Sequence, residues 1–163
     1  MKSQYFCAYH AKQVCGSETQ AFSQWGEVMR RGVKAYVQCR IEAATLFLNA
    51  ALDIAQLRSE CSTNSVFSLM HLCKPVEFLI QLTIAENNFK KATGFLDRLA
   101  ALDLQHLSDE GARLNTFLGE QYKLIEIAEK DSMAAIGTQQ PNRLLEVLTQ
   151  PLRGEGATAA LMH

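Results

Sequence analysis

Between Ile41 and Leu57 the polar residues are Glu42, Thr45, Asn49, Asp53 and Gln56, and everything else is apolar. Each step along that series is three or four residues, the period of an α-helix and not of a strand. A helix built this way carries one narrow polar stripe, and the rest of its circumference is apolar. It must be enclosed by other helices or lie against something apolar. The next apolar stretch repeats the pattern, with Ser68, His71, Lys74, Glu77 and Gln81 marking its wet edge. That edge continues across Pro75, which predicts one kinked helix rather than two separate ones.

Three prolines and nine glycines punctuate the 163 residues, and β-branched alternation is nearly absent. The expected fold class is therefore all-α: a bundle or hairpin of about five to six amphipathic helices with coiled-coil-like packing. Ser17 and Gln20 form a capping box that opens a helix over 18–37. Further helices are expected over 41–60 and from near Val66 to Glu86–Asn87; Asn88 then either caps a separate helix over 89–102 or the two run on as one. Ser108, Asp109 and Glu110 open another, to about Lys130; "GTQQP" breaks it, and Pro141 suits the first turn of a short helix over 141–150. In domain terms, residues 1–16 read as a helical N-terminal extension and 17–131 as the core domain. Residues 138–152 read as a short C-terminal helix, and 153–163 as a loose tail. The segments 38–63 and 65–103 should pack antiparallel about the turn "CSTNS". One internal echo is present: "IEAATLFLN" begins at residue 41 and "FKKATGFLD" at residue 89, 48 positions later.

Hydrophobic residues make up 48% of the chain and charged residues 20%, a balance that excludes a disordered polyampholyte. No stretch of about 18 residues lacks charge, so no transmembrane segment is expected. A net charge of −1 gives no global reason to bind nucleic acid, and "RRGVKAYVQCR" reads as a basic helix edge. The start "MKSQYFCAYHAKQVC" lacks an apolar signal core, which points to a cytoplasmic chain with reduced thiols and no intramolecular disulfide among Cys7, Cys15, Cys39, Cys61 and Cys73. Cys7, His10 and Cys15 could offer zinc ligands, but no further pair completes a tetrahedron, so neither metal nor cofactor is expected. No phosphate loop, dinucleotide fingerprint or paired-carboxylate motif appears, and the chain does not read as an enzyme.

Two placements remain for the apolar helices. They either form the centre of a bundle or offer part of their surface to a partner or a lipid-like body. In the second case the stripe consists of Leu46, Phe47, Leu48, Leu52, Phe67, Phe78, Leu79 and Leu82.

Several stretches resemble the phasin family, helical proteins that coat polyhydroxyalkanoate storage granules. The likeness is carried by Trp25 in "QWGEVMRR", by "RIEAATLFLNAALDIAQL", by "CKPVEFLIQ" with Cys73, Lys74, Pro75, Glu77 and Gln81, and by Asn88 and "DRLAAL". It implies a non-enzymatic, granule-associated coat protein that forms homo-oligomers through its helices and contacts polymer-metabolising enzymes. A few hundred Å² of apolar face against a polyester surface would contribute several kcal/mol, at about 25 cal/mol per Å². "PVEFLIQLTIAENNFKKATGFLDRLAAL" is also similar to tetratricopeptide-type helical repeats, with Ala92 and Phe95 where the second helix of a hairpin packs on the first. That likeness implies an adaptor binding a protein or peptide partner.

Overall fold

A computed structural model describes residues 8–61, 67–102 and 108–138. Among the described residues six helices follow one another: α1 (Ala8–Gly16), α2 (Glu18–Val37), α3 (Ile41–Cys61), α4 (Leu69–Ala85), α5 (Phe89–Ala100) and α6 (Ser108–Thr138). No strand occurs among the described residues, and the protein is all-α. Two caps are those that the sequence specifies, whereas α4 starts at Leu69 with Ser68 as its N-cap and not near Val66. Ser17 Oγ accepts from the Gln20 amide, and Asn88 Oδ1 accepts from the Lys91 amide. α6 runs eight residues past the expected end at Lys130, to Thr138. The expected helix over 141–150, the tail 153–163 and most of the "CSTNS" turn lie outside the described residues.

Consecutive helices pack on one another from α2 to α6, and α4 also touches both α2 and α6. The even-numbered helices therefore form one layer. α3 and α5 form the other, bridged by Arg98 of α5, which donates to Asp53 and Gln56 of α3. α1 lies against α2 and α3.

The echo of 48 residues is a structural repeat of helical hairpins. In the first hairpin the Gln38, Cys39 and Arg40 amides donate to the carbonyls of Lys34, Tyr36 and Ala35; in the second, those of Glu86, Asn87 and Asn88 donate to Leu82, Ile84 and Thr83. Every one of these positions is shifted by 48. Cys39 (φ 55°) and Asn87 (φ 54°) both take the left-handed conformation that closes a Schellman-type helix end. Past the turns, Ala44 and Ala92 are fully buried, and so are Leu48 and Leu96 four residues on. The small alanine lets each helix pair approach closely. In the first hairpin Gly32 narrows the gap further, because a Cβ there would stand 2.9 Å from Leu48 Cγ.

Pro75 sits inside α4 without dividing it. A proline cannot donate to the carbonyl four residues back, here that of His71. That carbonyl instead accepts from the Trp25 indole, 3.2 Å away on α2. The position that weakens α4 internally thus ties it to the first hairpin.

Two expectations are overturned. Most of the polar stripe of α3 does not face water: Asn49, Asp53 and Gln56 are buried, while Glu42 is exposed and Thr45 half-buried. Asn49 donates back to the Thr45 carbonyl, while Asp53 and Gln56 receive the Arg98 guanidinium. The thiols are not all reduced either. Cys15 and Cys61 are joined, their Cα atoms 5.8 Å apart and 46 residues apart in sequence. In the chain-entropy account, closing a loop of 46 residues contributes about 4 kcal/mol. Packing of α1 on the end of α3 brings these sulfurs together, a proximity that no local motif encodes.

Candidate functional site

Five of the eight residues of the expected partner-facing stripe belong to the interior. Leu48, Leu52 and Leu79 are essentially inaccessible, and Phe67 and Leu82 are buried. Leu46 is exposed. Phe47 is half-buried with the Arg31 guanidinium 5.9 Å over its ring, and Phe78 is half-buried on the outer side of α4. The stripe is not one surface: α3 and α4 turn most of it toward each other and toward α5.

Outside Ile41 and Leu46 of α3, the large exposed apolar side chains among the described residues lie on the even-numbered layer. From His71 to Ala85, the residues of α4 that are not buried are His71, Lys74, Glu77, Phe78, Gln81, Ile84 and Ala85. Their spacing of three or four residues makes a single stripe along the helix. This is the wet edge expected for α4, here with three apolar members, Phe78, Ile84 and Ala85. Burial on the remaining sides follows from its position, with α2 and α6 beside it and α3 and α5 behind.

α2 completes the face. Its line Trp25, Met29 and Tyr36 is half-buried against α4. Tyr36 stacks edge-on to Phe78 with ring centroids 5.1 Å apart, and its hydroxyl donates to Gln81 Oε1 at 2.8 Å. Burial, then the nearby Cys39 thiol, push the Tyr36 phenol above its ordinary value. Near the N-terminus of α4, His71 is surrounded by Phe22, Trp25 and Phe67, at centroid distances of 5.5, 4.7 and 5.0 Å. The Ser68 amide points at His71 Nδ1 at 3.1 Å, and an amide can only donate, so Nδ1 is the unprotonated nitrogen. On α6, Phe117 is half-buried while Leu124 and Ile127 are exposed, an apolar strip flanking the buried line Leu114, Leu118, Ile125 and Ala128. Charges are interspersed: Lys74 pairs with Glu77 at 2.8 Å, and Glu27 accepts from Arg30 and Arg31, which hold its carboxyl below the usual range.

This face offers apolar and aromatic side chains with paired charges and amide or hydroxyl groups. Cys15, one of the three thiol and imidazole groups considered for zinc, is consumed by the disulfide, and the side chains of Cys7 and His10 lie outside the described residues. No cluster of three metal-ligating side chains occurs among the described residues. No described helix is long and apolar enough to cross a membrane.

The sequence reading missed the contribution of α2. A usable signal was present: Trp25, Met29 and Tyr36 recur at helical spacing and so share one face of the segment 18–37. Compared with known proteins, the chain matches no family model, no curated protein and no solved structure.

Proposed function

We propose that this chain is a non-catalytic helical-hairpin adaptor that binds a polypeptide segment across the face of α2, α4 and α6. The observation that carries the reading is the single open stripe of α4, where Phe78 and Ile84 stand half-exposed in the middle of a packed layer. Two hairpins related by a strict 48-residue shift, followed by α6, make a short repeat array. Such arrays present one layer of helices as an extended binding surface. The segment that fits would place apolar side chains against Tyr36, Phe78 and Phe117 and polar groups against Gln81 and the Lys74–Glu77 pair.

A granule-coat role asks for broad apolar faces in contact with polymer, and most of the residues that would supply them are core in this fold. It would need the bundle to open, whereas the adaptor role uses the fold as it stands. Selection from a random-peptide display separates the two. The adaptor reading expects enrichment of peptides whose binding is abolished by Phe78→Lys and unaffected by Leu46→Lys. Failure to enrich any sequence-selective peptide, together with co-sedimentation of the protein with polyester particles, would reverse the choice.

A further inference from the structure

We propose that the Cys15–Cys61 bond is a thiol-exchange site that controls the docking of α1, independently of what the α2–α4–α6 face binds. The two cysteines are unequally exposed, Cys61 standing open at the last residue of α3 and Cys15 half-buried on α1. Cys61 is therefore the side from which a thiolate approaches the bond. α1 itself spans nine residues, below the length of about 12–15 at which an isolated helix persists in water. Besides the disulfide, described contacts that hold it include the following. Val14 is fully buried in the core, and the Arg58 guanidinium donates to the Val14 and Cys15 carbonyls at 3.3 and 2.9 Å. Arg58 is itself buried, with Glu18 3.6 Å away, so the carbonyls at the end of α1 supply much of its solvation.

The partner reactant is a dithiol, either a small molecule or the Cys-x-x-Cys pair of an oxidoreductase. One of its thiolates attacks Cys61 Sγ, the bond to Cys15 breaks, and Cys15 leaves as a thiolate that takes a proton. The second sulfur of the dithiol then displaces Cys61 from the mixed disulfide. The dithiol becomes a disulfide, and two electrons and two protons have passed to this chain. Glutathione disulfide or an oxidised oxidoreductase runs the sequence backwards. Once reduced, α1 loses its only covalent tie to α3 among the described residues and is left with non-covalent contacts, Val14 and the Arg58 guanidinium among them. It then exchanges with an undocked form that uncovers the ends of α2 and α3.

Hydrogen exchange followed by mass spectrometry on the full chain, with and without dithiothreitol, tests this. Non-reducing digestion should yield a peptide pair linked through Cys15 and Cys61, and a brief limiting pulse of glutathione should be trapped on Cys61. After reduction the amides of residues 12–16 should exchange about tenfold faster or more, with α4 to α6 unchanged. Cys15→Ser should show the fast rate in both conditions; because the wild-type comparison stands without it, a poorly folding variant leaves the test intact. Absence of the linked peptide, trapping on Cys15, or unaltered exchange in 12–16 after complete reduction would each overturn the proposal.

Discussion

Replacing Gly32 by alanine tests the close approach within the first hairpin, and Gly94→Ala supplies its control. Both glycines lie inside helices, where alanine is favoured over glycine by about 1 kcal/mol when nothing obstructs the new methyl group. At Gly94, exposed on α5, nothing lies within 4 Å of the added Cβ, so the variant should gain about that amount. At Gly32 the methyl would stand 2.9 and 3.0 Å from Leu48 Cγ and Cδ2, and 3.3 Å from the Leu48 backbone nitrogen. Leu48 is fully buried and cannot swing into solvent, so α2 and α3 must separate. Overpacking of this kind costs about 1–3 kcal/mol, which outweighs the propensity gain and leaves a net loss near 1 kcal/mol. The two variants should thus differ by about 2 kcal/mol and in sign. For a domain of this size that is roughly a 4–8 °C separation in Tm. Urea unfolding followed by circular dichroism, with unchanged slope for all three proteins, measures it directly. If Gly32→Ala stabilises as much as Gly94→Ala does, the hairpin is not closed through Gly32 and Leu48, and the packing described for it is wrong.

Further outcomes follow from single contacts. Trp25→Phe removes the donor to the His71 carbonyl and should cost about 1 kcal/mol; in a Pro75→Ala background, where the helix supplies its own amide to that carbonyl, the same change should cost close to nothing, as a double-mutant cycle would show. Cys39→Asn copies the residue that occupies the equivalent turn and should stabilise by about 0.5–1 kcal/mol in chemical denaturation, because asparagine tolerates the left-handed conformation better. Tyr122 donates to the Asp97 carboxylate at 2.7 Å, which pushes its phenol from 10.0 up to about 12. A phenol raised in the folded state contributes stability below its unfolded value and loses it as pH rises through the folded one. Tyr122→Phe should therefore be slightly less stable than wild type at neutral pH, by under about 1 kcal/mol at this exposed site, and the gap should close as pH climbs from 10 through 12.

The helices, two of their caps and the continuity of α4 across Pro75 were legible because they follow from spacing within a few residues. Burial of most of the α3 polar stripe was not. Periodicity shows that Asn49, Asp53 and Gln56 share a face, but whether that face meets water depends on Arg98, which arrives from α5 more than 40 residues away. The disulfide has the same origin: the start of the chain says nothing about which thiols the fold brings together. The repeat was half visible in Ala-Thr-x-Phe-Leu. Its strongest element, the turn, uses Cys39 in one copy and Asn87 in the other, so the shared backbone conformation leaves no shared residue to read. Among the candidate surface residues, Phe78 was identified and its neighbour Leu79 was grouped with it. One residue along a helix rotates the side chain by about 100°, enough to move it from the open stripe of α4 into the core.

That pair offers the most direct test of the account. Phe78→Lys and Leu79→Lys should be compared for urea stability, for binding of a selected peptide, and for recovery with polyester particles. Phe78→Lys should keep the fold within about 1–2 kcal/mol of wild type, losing mainly its contact with Tyr36, and should lose the peptide. Leu79→Lys, which buries a charge where 0% of the side chain is accessible, should not fold. If instead both variants fold and both lose recovery with the particles while peptide binding is never seen, then α4 presents Leu79 outward, and the two-layer arrangement with its peptide-binding face is contradicted.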